Sequence, residues 1–200
     1  MMLNGRPVSV RPDDLAVLAR EVVADLTPQQ RATSATSVTA LTPRIPQQRT
    51  SSSGARAYGG SYQVPSSDQD RTLAVGLAGE AAVAAWPQEQ FGVEPQGSWK
   101  SGLRGHGLAG AQPGDDRLVY DFLIHDGDAT YLYEVNASTG DSREIVLGES
   151  EVRRASRLKP DETYFIVHVS HVLDRDSRDI PVLPNPSSAL DLVGYELAST

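Results

Sequence analysis

The chain has 200 residues, no cysteine and a formal net charge of −8. That length supports one hydrophobic core with an appendage, and the lack of cysteine excludes both a disulfide framework and a thiolate metal site. Residues 1–70 carry seven arginines and six acidic side chains, whereas residues 71–200 carry eleven basic and twenty acidic ones, so the larger part has the wrong sign for a general nucleic-acid binder and only a local basic patch could serve. The opening Met1-Met2-Leu3-Asn4-Gly5-Arg6 lacks the apolar run of a secretory leader, and no stretch reaches the length of a membrane span. The expectation is a soluble cytoplasmic protein with no membrane partner. Two lysines against sixteen arginines suggest a GC-rich, bacterial coding genome.

The first predicted element is an amphipathic helix over residues 12–26. Pro12 suits a first helical turn, and Asp13 and Asp14 complement its dipole. Leu15, Leu18, Val22 and Leu26 recur at helical spacing, and one helix with one apolar face must dock on something. Residues 28–69 are rich in Ser, Thr, Gln, Arg and Pro and poor in large apolar side chains, which reads as a disordered linker. The expected organisation is an N-terminal helix at 1–27, this linker, and a compact domain at 70–200.

That domain opens on a helix from Asp70 through Leu73, Leu77, Gly79, Glu80 and Val83 to Trp86, stopped by Pro87. Its many small residues permit close approach to neighbours. Gly97 to Gly114 is a long glycine-rich loop, of a length that is usually functional or disordered. Strands follow at Leu118–Ile124 and Thr130–Val135, joined by the turn His125-Asp126-Gly127-Asp128. A third short strand is predicted at Glu144–Leu147, then a helix from Gly148 to before Pro160, a long strand at Tyr164–Val172, a last strand at Ile180–Leu183, and a helical turn at Ser188–Val193. This order predicts an α/β or α+β fold, with a mixed sheet of about five strands flanked by helices.

Side chains on a strand alternate between faces. In the first strand Asp121 shares a face with Val119 and Leu123. In the second, Glu134 and Asn136 share a face with Leu132. Both faces of each strand are otherwise apolar, so the carboxylates are polar exceptions, costly to bury unless a cation or other partner compensates them. Antiparallel pairing could bring Asp121 and Glu134 together. Oxygen-only ligands of this kind suit Mg²⁺ or Mn²⁺ with water completing the shell. Spacing alone does not make the case, because such a pair is more often an exposed face, an ion pair or a turn contact.

The order of motifs is more specific. Gly76-x-x-Gly79-Glu80 on a helix is followed by Trp99-x-Ser101 and the glycine-rich loop. Next come Tyr120-Asp121-Phe122, Tyr133-Glu134-Val135-Asn136-Ala137-Ser138-Thr139 and Ile145-Val146-Leu147-Gly148-Glu149-Ser150-Glu151. Tyr164-Phe165-Ile166-Val167 and Ile180-x-x-Leu183-Pro184-Asn185-Pro186 close the series. Over residues 70–186 this resembles the C-terminal domain of the protein NO VEIN family, itself similar to the restriction-endonuclease-like PD-(D/E)xK superfamily. The resemblance implies a restriction-endonuclease-like core. It implies Asp121 and Glu134 as metal ligands for Mg²⁺ or Mn²⁺, Glu80 as a helix glutamate facing the site, and Glu151 as an acidic residue opening the next helix. Asn136 falls where a catalytic lysine belongs.

An asparagine offers a neutral amide where lysine would place a cation beside developing negative charge. The reading favoured is therefore a catalytically degenerate nuclease-fold module with a recognition or assembly role, with or without a bound metal. As partners, the resemblance suggests an ATPase or helicase module of a larger, defence-associated protein, and DNA or RNA through a local site. The second reading is an active Mg²⁺-dependent endonuclease with a relocated cation, Lys100 being the best candidate and Arg104 and His106 further phosphate contacts. The third is an interaction domain without a nucleic-acid role. A lone histidine among glycines is more often idle, and Trp99 reads as a packing residue at the base of the loop.

Overall fold

Alternating aromatic and β-branched residues place a four-stranded mixed sheet at the centre of the protein. The computed structural model describes residues 1–31, 66–108, 110–141, 144–185 and 196–198. Strands β3 (Phe122–Asp126), β4 (Ala129–Ala137), β6 (Glu162–Val169) and β7 (Val182–Pro184) form this sheet in the order β3-β4-β6-β7. β3 and β4 are an antiparallel hairpin, with Phe122 opposite Tyr133 and Asp126 opposite Ala129. Gly127 opens the two-residue turn at a φ of 58°, the conformation such hairpins need. β4 and β6 run parallel, with Leu132 beside Tyr164 and Glu134 beside Ile166, and β7 returns antiparallel to β6.

The sheet is mixed, as expected, but it has four strands rather than five. The predicted third strand, β5 (Glu144–Val146), leaves the sheet and pairs with β8 (Glu196–Ala198). The segment between β4 and β6 instead forms the parallel crossover. It carries helix α7 (Glu149–Ala155), the length of connection that parallel neighbours require.

Apolar residues cover both faces. Phe122, Ile124, Tyr133, Val167 and Val182 face helices α1 (Leu15–Ala24) and α3 (Ser66–Val83), and Leu132, Tyr164, Ile166 and Leu183 face Ile145, Leu147 and Ala155 of the crossover. Gly79 lets α3 lie against the end of β4, since a methyl group there would sit 2.5 Å from the Ala137 Cβ. Pro87 does not stop α3. It lies in the first turn of a separate helix α4 (Trp86–Phe91), where its missing N–H costs nothing, and a short helix α5 (Pro95–Ser98) follows.

The N-terminal helix does not stand apart. Leu15, Leu18, Ala19 and Val22 are buried in the same core as Ala74, Leu77 and Ala81 of α3. A small hairpin, β1 (Met2–Leu3) with β2 (Arg6–Pro7), precedes it. The Asn4 backbone N–H donates to Leu173 O at 2.9 Å, and the Asn4 side-chain oxygen accepts from Arg175 N at 2.8 Å. Gln30, on the short helix α2 (Pro28–Arg31), donates to the carbonyls of Arg175 and Arg178, each at 2.9 Å. Most of the predicted linker and the predicted turn at Ser188–Val193 lie outside the described residues. Among the described residues no helix is long and apolar enough to cross a membrane.

Candidate functional site

The strand predicted over Leu118–Ile124 starts later, at Phe122. Asp116–Leu118 form a 3-10 turn, and Val119 takes a left-handed φ of 62°, a conformation incompatible with a strand. Asp121 lies just before the strand and does not extend the hairpin's register. Its N–H donates to Tyr133 O at 2.8 Å, and its Oδ2 accepts from Val135 N at 2.7 Å. Its carboxylate is thereby held against the backbone of β4 beside Glu134. Glu134 itself lies level with Ile166, on the face that the crossover covers.

Three further acids surround them. Glu80 approaches from α3 and is 5% exposed. Glu151 sits in the first turn of α7, where its carboxylate accepts from Gly148 N at 2.6 Å and favours the helix dipole. Asp116, which no sequence signal marked, accepts from Gly102 N at 2.5 Å. Burial first, then the charges of Glu151 and Asp116, push Asp121 up to about 7 against the opposing hydrogen bond from Val135. Burial, then Asp121, Glu151 and Glu80, push Glu134 up to about 10. Burial and Asp121 likewise raise Glu80 well above its ordinary value. Asp121 and Glu134 are only partly enclosed by surface area, but the surrounding protein is dense enough that desolvation dominates. The charges acting most strongly on all three are those of other carboxylates.

Tyr164 completes this face. It is fully buried, and its hydroxyl lies by Glu134 without a well-formed hydrogen bond. Burial and the neighbouring acids raise the phenol far above its usual range, so it stays a neutral donor. Asn136, two residues past Glu134 on the same face, is level with His168 of β6.

The cations proposed from the loop are occupied elsewhere. The Lys100 ammonium donates to Gly97 O, although its backbone N–H donates to Asp121 O at 2.6 Å. Arg104 donates to the carbonyls of Gln96, Trp99, Gln112 and Pro113 and so pins the loop closed. His106 is half-buried on the short helix α6 (Arg104–Gly107). On the crossover side, Arg154 pairs with Glu162 at 2.8 Å and lies 5.9 Å from the Tyr120 ring centroid.

Trp99 and Ser101 do more than pack. Trp99 Nε1 and Ser101 Oγ both donate to Glu80 Oε2, and Trp99 Nε1 also approaches Ser101 Oγ at 3.1 Å. The Trp99-x-Ser101 spacing was visible in the sequence, but its target, 19 and 21 residues upstream on another element, was not.

Asp121 and Glu134 are the pair able to hold a divalent cation. Among the described residues no three carboxylate or histidine side chains already converge on one point as a ready cage. Two carboxylates with water filling the remaining positions are nonetheless a usual way to hold Mg²⁺. The chain matches no protein-family model, no curated protein and no solved structure.

Proposed function

We propose that this protein is a nuclease-fold module that binds a divalent cation through Asp121 and Glu134 and has lost phosphodiester hydrolysis. The observation that carries the proposal is the hydrogen bond from Val135 N–H that holds the Asp121 carboxylate beside Glu134, with Asn136 two residues on along β4. The order helix, two paired strands, helix-bearing crossover and parallel strand supports a restriction-endonuclease-like core. Buried, mutually repelling oxygen ligands with an adjacent phenol fit Mg²⁺ or Mn²⁺. Such an ion supplies counter-charge and orients water.

The chain's own residues then define what is missing. Asp121 is held by Val135 N–H, and the neutral Tyr164 hydroxyl lies by Glu134. Asn136 cannot bring positive charge to a phosphoryl group, and Lys100 and Arg104 are turned to loop carbonyls. Loss of such a cation costs about 3–5 kcal/mol in the transition state, or several orders of magnitude in rate. The protein's role is then recognition or assembly, with nucleic acid or an ATPase or helicase module as partner.

The purified protein is expected to show no Mg²⁺- or Mn²⁺-dependent cleavage of single- or double-stranded DNA or RNA. Asn136→Lys is expected to confer cleavage that Asp121→Ala abolishes. Cleavage by the wild-type protein that disappears in Asp121→Ala would overturn the degenerate reading. If that cleavage were also lost in Lys100→Ala, the active nuclease with a relocated cation would stand instead.

A further inference from the structure

The hydrogen bond that holds Asp121 beside Glu134 does not explain how Glu80 is held. Glu80, Trp99 and Ser101 are 5%, 1% and 4% exposed, so their contacts form in a nearly dry environment where they are strong. Both donors grip one oxygen, Oε2, and neither engages Oε1.

The donors are themselves rigidly mounted. The Trp99 ring stacks on Phe122 with centroids 5.6 Å apart. Gly107 leaves room for it, since a methyl group there would lie 2.2 Å from the ring. Ser101 O accepts from Gly114 N at 3.1 Å, and Lys100 O accepts from Asp115 N at 2.7 Å. A carboxylate held at one oxygen by two fixed donors cannot rotate freely, so the direction of its other oxygen is set.

Glu80 does not join Asp121 and Glu134 in a preformed three-ligand cage among the described residues, yet its donors flank Asp121: Lys100, between Trp99 and Ser101, gives its N–H to Asp121 O at 2.6 Å, and Trp99 bridges to Phe122. We infer that Trp99 and Ser101 are positioning residues: by holding Glu80 Oε2 they aim Oε1 as a hydrogen-bond acceptor for water carried by a cation at Asp121 and Glu134. This rests on the divalent-cation reading above. Residues that orient ligands from behind in this way typically change metal affinity 10–100-fold when removed.

The test uses the full-length protein and Mn²⁺ alone, with bound ion counted by electron paramagnetic resonance and affinity measured by calorimetry. Ser101→Ala and Trp99→Phe are each expected to weaken Mn²⁺ binding by roughly 10–100-fold, and Ser101→Thr, which keeps the hydroxyl, to restore most of it. The decisive comparison is Ser101→Ala in a Glu80→Ala background, where it is expected to cost nothing further, because its effect passes through Glu80. Thermal melts establish that each variant is folded, and Trp99→Phe serves if Ser101→Ala is not. Wild-type affinity in both Ser101→Ala and Trp99→Phe, or an equal loss from Ser101→Ala with and without Glu80, overturns the inference while leaving the cation site standing. Failure of the wild-type protein to bind Mn²⁺ removes the cation site and the inference with it.

Discussion

Asp121, Glu134 and Glu80 each have a folded pKa above that of the unfolded chain, with burial as the main cause. Between the two values the folded state holds more protons, so this contribution to stability is complete below the unfolded pKa and is lost as pH rises through the folded one. For Asp121 that window runs from 3.8 to about 7. In the metal-free protein the melting temperature is therefore expected to fall between about pH 5 and about pH 8. Asp121→Asn, which keeps an acceptor for Val135 N–H, is expected to raise stability at the upper end by on the order of 1 kcal/mol after solvent screening, with the gain shrinking at the lower end. Thermal melts of both proteins at the two pH values check this, and a wild-type melting temperature that rises with pH would contradict it. Added Mn²⁺ is expected to raise the melting temperature most at high pH, where the carboxylates are ionised.

The elements are set by a few close approaches. Gly79 is the point where α3 meets β4. Gly79→Ala is expected to cost about 1–3 kcal/mol in denaturant melts, because the nearest atoms are the Cβ of Ala137 and its strand rather than a flexible side-chain tip. Gly76→Ala, on the same helix, meets only Leu103 Cδ1 at 3.5 Å. It is expected to be neutral or to stabilise by up to about 1 kcal/mol through helix propensity. The pair separates packing from propensity within one helix. The same logic explains why the Gly97–Gly114 loop is ordered where described. Arg104 ties together three of its carbonyls and that of Gln96 just before it, and Gly114 passes so close to Lys100 O that a side chain there would lie 1.8 Å from it.

On the scale of the whole molecule, the N-terminal segment completes the core and is not an appendage. Leu18 is 2% exposed and belongs to the cluster containing Leu77 and Trp99. Leu18→Ala is expected to destabilise the entire protein by about 2–5 kcal/mol. A chain beginning at residue 68 would expose the α3 face formed by Ala74, Leu77 and Ala81. It is expected to lose cooperative unfolding and to show poor amide dispersion by nuclear magnetic resonance. Buried Arg178 supports this join, its Nε donating to Val172 O at 3.0 Å and its carbonyl receiving Gln30.

Much of the local architecture was legible in the sequence because it depends on near neighbours. Alternation along residues 122–136 and the Asp126-Gly127 turn determine the hairpin. Period two then puts Glu134 and Asn136 on the face of Leu132, and Glu151 three residues into the next helix follows from its capping position. Long-range pairing was not legible. Nothing near Glu144 says that β5 pairs with residues 196–198 instead of joining the main sheet. Nothing near Pro12 says that its helix shares a core with α3. Pro87 reads equally as a helix stop or a helix start, and only the chain's path decides. The candidate site divides along the same line. Sequence by itself singled out Asp121, Glu134 and Asn136. Only the tertiary structure decided that Trp99 and Ser101 grip Glu80, that Asp116 and Tyr164 join the acidic face, and that Lys100 turns to Gly97. Those contacts link side chains on separate elements, and local propensity carries no information about them.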